Sequence, residues 1–415
     1  MKSHYDILII GGGMAGASLA CALLPASQSL GLKIAVVEAH PLPEGGQLRY
    51  QPSYDSRATA LAYGSRSIYE LMGIWDTLQT HLSPIRQIHV SDKGHFGVTR
   101  LSAEQEQVSA LGYVVENHWL GRVLLDRLQQ DDAANIDFLC PAEVTAVEPA
   151  AEQMDVGLKI DGESRQLSAE LVVMADGGRS KLRERMGIGY QQQTYDQHAV
   201  VANISPDRFH GDVAYERFTD TGPMALLPLE TLQGEYRCGL VWTVPDAEVE
   251  EVMALDDQAF LQRVQERFGY RAGRFIRAGE RHAYPLKLVL AQEQVRRGLV
   301  VLGNAAHALH PIAGQGYNLA LRGVVALADQ LIEARKEGRL LGDLEMLQAF
   351  HARQSQDQQR TIGMSDRTMR LFSNSNPLLT LGRDLGLQLL DLSPTAKTVF
   401  ARSAMGLDMP APRLK

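Results

Sequence analysis

Gly11, Gly13 and Gly16 stand at the spacing G-x-G-x-x-G, directly after the apolar run Tyr5 to Ile10. In such a turn the first glycine permits a tight reversal, the second lets backbone approach a pyrophosphate, and the third lets helix pack closely on strand. The N-terminus of the helix that follows would aim free N–H groups and the positive end of its dipole at that pyrophosphate, with Met14 and Ala15 of the turn beside it. Glu38 ends the next apolar run, about 22 residues beyond Gly16, where a carboxylate can accept both ribose hydroxyls. The combination predicts a dinucleotide site. The carboxylate argues against a 2′-phosphate, which leaves FAD or NAD.

A second motif decides between those two. The apolar run Leu299 to Leu302 leads into Gly303-Asn304-Ala305-Ala306-His307, and then His310-Pro311-Ile312-Ala313-Gly314-Gln315-Gly316-Tyr317-Asn318. Small residues let backbone lie against a flat ring, and Gly314, Gln315 and Gly316 start a helix whose N-terminus faces an electron-rich centre. Reduced flavin carries negative charge near N1 and O2, which such a helix end stabilises. A third motif, Asp176-Gly177-Gly178-Arg179-Ser180 with Arg183, is an acid at a strand end followed by glycine; alone it equally suits an ordinary strand-to-helix turn.

Other residue types exclude other chemistry. His307 and His310 have no acidic companion and a proline follows, so no metal site is expected. The three cysteines, Cys21, Cys140 and Cys238, are too few and too scattered for a disulfide framework, which suggests a reducing cytoplasm. With 41 Lys and Arg against 49 Asp and Glu, and no basic run, nothing points to nucleic acid. No apolar segment approaches the roughly 18–20 residues of a spanning helix. We expect a protein of the cytoplasm that at most lies on the inner face of a membrane.

The elements that must position these residues form an α/β pattern. Tyr5–Ile10, a helix Ala17–Leu24 ending near Pro25, and Lys33–Val37 make one βαβ unit, the start of a parallel sheet. A loop is expected over Pro41–Pro52, helices over Ala58–Met72 and His118–Gln130, and several strands from Phe138 to Ala175. From Tyr195 to Leu286 the character changes to strand-like runs (Ala199–Ile204, Tyr215–Phe218, Met224–Leu229, Tyr236–Thr243) with one helix near Asp256–Phe268. That segment reads as an antiparallel sheet inserted into the nucleotide-binding fold. The strand Leu299–Leu302 and the helix Tyr317–Lys336 return to the first fold, and the rest is helical.

Taken together the three motifs resemble the group A flavoprotein aromatic hydroxylases, the para-hydroxybenzoate hydroxylase fold family, over the chain up to about residue 350. One departure is Gly303-Asn304, where the family usually has Gly-Asp contacting the flavin ribityl chain; asparagine can still donate and accept there. Within the family, His310 to Asn318, Asp55-Ser-Arg57-Ala-Thr-Ala-Leu, Val115-Glu-Asn117, Ser91-Asp-x-Gly-His95 and Glu216-Arg-Phe-Thr219 are similar to the ubiquinone-biosynthesis hydroxylases. The W-x-W-x-I-P signature of flavin-dependent halogenases is missing.

The resemblance implies a discontinuous Rossmann-like FAD-binding domain (1–75, 113–190 and 287–345), substrate-domain strands (76–112 and 191–286) and C-terminal helices (346–415). It places Arg57 and Asn117 near the flavin, where the residues alone would equally allow a surface cation and a helix N-cap. It implies FAD, NAD(P)H as a transiently docked reductant, O2 as co-substrate, and ring hydroxylation through a flavin C4a-hydroperoxide. The substrate would be a polyprenylated phenol of the 2-polyprenyl-6-methoxyphenol type, with other ubiquinone-biosynthesis proteins as partners. Tyr215, Arg217, Met224, Leu226 and Tyr236 are the candidate substrate contacts, and no proton acceptor stands out. Hydroxylation at another ring position or of a soluble phenol, reduction of prenyl double bonds, and a non-catalytic FAD-bound scaffold remain as alternatives. The stripe Leu378, Leu381, Leu385, Leu389 and Leu392 suits a helix packed on the main body or one facing lipid or a partner.

Overall fold

A computed structural model of the chain describes residues 3–41, 57–130, 135–178, 181–309, 314–372, 386 and 388–407, with 368–372 in backbone only. Its first sheet grows from His4–Ile10, buried at every position after the first, as a strand covered on both faces must be. This strand pairs in parallel with Ile34–Val37 and with Glu163–Met174, setting Ile7 opposite both Ile34 and Leu171. Ile136–Leu139 and Leu299–Val301 extend the parallel order on either flank. Helices Met14–Ser29, Asn117–Leu128 and Gln315–Lys336 cover one face of the sheet. On the other face the sheet curls over itself, because Glu163–Met174 also pairs antiparallel with Met154–Ile160, which pairs with Ala142–Pro149.

The second sheet is built on Tyr190–Pro206, Glu235–Pro245, Gly222–Leu232 and Val213–Thr219, antiparallel in that spatial order. Gln87–Asp92 joins it parallel to Val213–Thr219 and brings Val98–Ser102 as an edge. Its outer face carries Met224, Leu226, Leu240 and Trp242 against Phe260, Val264 and Phe268 of the helix Asp257–Phe268. That helix has clear ends: Asp256 accepts from the Ala259 amide at 2.8 Å, and Gly269 takes the left-handed φ of 83° just past the last turn.

Two elements depart from the sequence reading. Ala58–Ala62, expected to begin a helix, is a strand pairing Ala60 with Val114, and only Ser65–Leu71 is helical. Alanine has high helix propensity, but its small side chain also lets this strand lie close beneath Gly314, and tertiary pairing wins. The helix Met14–Ser29 continues through Pro25; the Ser29 hydroxyl donates to the Pro25 carbonyl at 2.9 Å, and burial of Leu24, Ala26 and Ser27 holds the turn. In the leucine stripe, Leu378, Leu381 and Leu385 lie outside the described residues, as do positions 42–52 of the expected loop; Leu389 and Leu392 are 66% and 78% exposed.

A small sheet of Ala58–Ala62, Gly112–Glu116 and Ser83–Ile85 joins the two halves. Arg237 of the large sheet reaches Glu116 of the small one with two hydrogen bonds of 3.2 Å, and its Nε donates to the Glu230 carbonyl. Both residues are buried, so the pair fixes the spacing between the sheets.

Candidate active site

Between the parallel sheet and the inner face of the second sheet lies a cavity of about 1760 Å³. A single small-molecule site usually holds ~300–1,000 Å³, so there is room here for more than one ligand. All three motifs border it.

At one end stand Gly11, Gly13, Met14 and Ala15 with Glu38. Gly11 has φ of 102°, and a Cβ there would come within 2.7 Å of the Ala175 carbonyl oxygen. Gly16 is not on the cavity wall; a Cβ at that position would lie 1.9 Å from the Gly11 oxygen, so this glycine lets the helix seat against the turn. Glu38 accepts from the Gly12 amide and from the His40 amide, both at 2.8 Å. Each carboxylate oxygen keeps a second lone-pair direction for a ribose hydroxyl. The helix Met14–Ser29 has no side-chain N-cap and no acid in its first turn, which leaves its N-terminus to an anion.

Asp176 and Gly177 continue the wall, with the Asp176 carboxylate accepting from the Gly178 amide at 2.9 Å. Arg183 lies under that turn and stacks on Tyr190 at 4.2 Å, while Arg179 and Ser180 lie outside the described residues. Asn304 is exposed to the cavity. His307 is buried, which lowers its imidazole to about 4 and keeps it neutral; Pro311, with His310, lies outside the described residues.

Gly314 takes a left-handed φ of 60° as the N-cap of Gln315–Lys336, so Gln315 and Gly316 present the helix start to the cavity. Asn318 holds that start in place. Its Oδ1 accepts from the Ala62 amide at 2.8 Å and the Ser65 hydroxyl at 2.9 Å, and its Nδ2 donates to the carbonyls of Ala60 and Gly314. Tyr317 borders the cavity, but its hydroxyl shares hydrogen bonds with Ser18 and Tyr69, tying three helices together; burial pushes it up to about 12. Asn117 accepts from the Thr59 hydroxyl at 2.6 Å, and its amide donates to the Arg57 carbonyl. It is the first residue of its helix, after Glu116 at the N-cap. Arg57 is exposed at the cavity with its guanidinium 5.2 Å from the Tyr284 ring. Glycines that no side chain could replace, two unblocked helix starts and an oriented carboxylate fit a flavin dinucleotide.

The roof is apolar: Ile88, Val90, Leu101, Ala225, Leu227 and Val241 face inward. Strand alternation turns the sequence candidates the other way. Met224 and Leu226 are buried in the outer core, Arg217 donates to the Ser91 hydroxyl at 3.3 Å, and Tyr236 packs on Phe209. Tyr215 touches the cavity wall, yet its ring meets Phe268 edge-on. The inward residues of the same strand are Ala214, Glu216 and Phe218. Glu216 has no hydrogen-bond or ion-pair partner among the described residues, and burial alone raises its carboxyl to about 7. In the sequence it stands in the Glu216-Arg-Phe-Thr219 resemblance and as a lone acid in a strand of alternating pattern, neither of which gave it a role. The pair Arg322–Asp357, joined at 2.7 and 3.0 Å, closes the cavity from the helical side and left no such trace.

Comparison with known proteins agrees with this geometry. The family described as FAD binding domain matches residues 4–365. The chain is 34% identical to ubiquinone hydroxylase UbiL of Rhodospirillum rubrum, over 97% of this chain and 89% of that protein. It is 30% identical to the 3-demethoxyubiquinol 3-hydroxylase of Escherichia coli, over 97% and 98% of the two chains. It is 27% identical to human mitochondrial ubiquinone biosynthesis monooxygenase COQ6, over 96% and 92%. In fold it matches the p-nitrophenol 4-monooxygenase PnpA of Pseudomonas putida DLL-E4, with a TM-score of 0.78 at 17% identity over 98% and 99% of the chains. Family membership brings FAD as cofactor, with NAD(P)H and O2 as co-substrates. The chain belongs to the FAD binding domain family and is a flavoprotein aromatic monooxygenase.

Proposed function

We propose that this protein hydroxylates the aromatic ring of a polyprenylated phenol, of the 2-polyprenyl-6-methoxyphenol type, in ubiquinone biosynthesis. The observation that carries the reading is the continuity of one cavity from the Gly11–Gly13 turn to the apolar roof Ile88, Val90, Leu101, Leu227 and Val241. Relatives named for ubiquinone hydroxylation align over nearly the whole chain, which supports the same substrate class here.

In this reading the backbone of Gly11 to Met14 holds the pyrophosphate, Glu38 the ribose, and Asp176 and Asn304 the ribityl region. The helix start at Gly314, Gln315 and Gly316 faces the ring system. Bound FAD supplies two-electron transfer from NAD(P)H and activation of O2. The chain's own contribution is to orient the phenol under the roof and to exclude water, which would divert the reduced cofactor into peroxide release.

The prenyl tail leaves along Met364, Leu390 and Phe400, which border the cavity where Leu389, Leu392 and Val399 stand exposed. No helix among the described residues is long and apolar enough to cross a membrane. The exposed apolar side chains at this mouth support a cytoplasmic protein whose mouth meets the inner face of the membrane, with other ubiquinone-biosynthesis proteins as neighbours.

A tail-length series tests the substrate class. One buried CH2 contributes ~0.8 kcal/mol, about fourfold, so each five-carbon prenyl unit buried along the mouth should raise kcat/KM by more than about tenfold. Steady-state hydroxylation in detergent across tails of none to four units is expected to rise steeply. A flat series would identify a soluble phenol instead.

A further inference from the structure

Thr99, Val90, Glu216, Ala225 and Val241 lie side by side across five adjacent strands, each opposite the next in register. All five border the cavity. Glu216 is the sole ionisable member of that row, and Ala214 and Phe218 flank it on the same face of its own strand. An unpaired carboxyl among apolar side chains works against folding, and Gln would fill the same space without a charge. Among the described residues nothing on the sheet uses it.

We propose that Glu216 is the proton acceptor that takes the ring-hydroxyl proton of the phenolic substrate while a ring carbon is oxygenated. The inference rests on the aromatic-ring reading above. The phenol O–H bond breaks, the proton passes to a Glu216 carboxylate oxygen, and the released electron pair moves into the ring, making the carbon ortho or para to it nucleophilic. In balance, one ring C–H, one O2, one NAD(P)H and one proton give one C–OH, one water and one NAD(P)+. Glu216 returns its proton as the product ring regains aromaticity.

The geometry suits the task because a base is most effective when it changes protonation near the working pH. Glu216 does so near 7, through burial alone. On its own strand and those beside it the ionisable residues are His89, Asp92, Arg100, Tyr215, Arg217 and Glu230, and across the cavity stand Arg57, Arg322, Asp357 and Arg360. None of them contributes to that position.

The test compares FAD-loaded wild type, Glu216→Gln and Glu216→Asp with an ordinary prenyl phenol and with a ring-fluorinated one already ionised at the assay pH. Glu216→Gln should keep its FAD and bind both phenols, yet form product from the ordinary phenol about 100-fold or more slowly, the span of lost general-base catalysis. Its rise in rate through pH 7 should vanish, and the ionised phenol should restore it to within about tenfold of wild type, because no proton need then be taken. Glu216→Asp should retain the rise with reduced rate, which also covers the case of a Gln variant that loses FAD. Product formation by Glu216→Gln within threefold of wild type, or equal losses with both phenols, would overturn the proposal. If wild type binds phenols but hydroxylates none, the aromatic-ring reading itself falls, and the proposal with it.

Discussion

Glu38 and Glu216 are both acids at sheet positions, and their surroundings assign them different work. Glu38 sits at a strand end with two backbone amides fixing its oxygens, ready to accept hydroxyls. Glu216 sits mid-strand with no side-chain partner among the described residues, and its carboxyl rises from 4.5 to about 7. This difference has a thermodynamic signature. Between pH 4.5 and 7 the folded protein holds a proton at Glu216 that the unfolded chain has released, so its contribution to stability falls as pH rises through that window and stays low above it. The full shift corresponds to at most about 3 kcal/mol, lessened by whatever water enters the cavity. Glu216→Gln should therefore be more stable than wild type at pH 8 by about 1–3 kcal/mol, with the gap closing toward pH 4.5. Denaturant unfolding of the FAD-loaded proteins at the two pH values measures it; a gap that does not change with pH would contradict the assignment. The glycines and Glu38 were legible in the sequence because their chemistry depends on local spacing. Glu216 was not, because its meaning depends on which face of the strand meets the cavity. The sequence candidates Tyr215, Arg217, Met224 and Leu226 belong to the alternate positions of the same strands.

Elements are held by a few polar side chains that bond more than one of them at once. Asn318 anchors the Gly314 turn, the strand Ala58–Ala62 and the helix Ser65–Leu71 through four hydrogen bonds. Asn318→Ala leaves the buried Ala62 amide and the Gly314 turn without partners, which should cost about 2–3 kcal/mol of unfolding free energy. Thermal denaturation with flavin fluorescence should show earlier release of FAD, and an unchanged midpoint would remove Asn318 from this role. The βαβ unit, the late strand Leu299–Val301 and the helix after it could be read from apolar runs and flanking glycines. The strand Ala58–Ala62 could not, since A-T-A-L-A favours a helix until Gly112–Glu116 is there to pair with it. The passage of the first helix through Pro25 was hidden for a similar reason: burial around it outweighs one missing hydrogen bond.

At the scale of the whole molecule, two sheets of different construction are bridged by the small sheet, which the buried Arg237–Glu116 pair ties to the second, and the cavity is the gap they leave. Breaking such a pair exposes an uncompensated charge, so the spacing is firmly set. One side of the gap has the turns and helix starts for a dinucleotide, and the other has an apolar roof with one acid in it. Neither side alone would make a monooxygenase. The most direct measurement is product analysis by mass spectrometry after turnover of the FAD-loaded protein under 18O2, with NADPH and a prenyl methoxyphenol in detergent. A ring hydroxylase of this class yields a prenyl quinol or quinone carrying one labelled ring oxygen. NADPH consumption that yields labelled peroxide and unaltered phenol would contradict this reading.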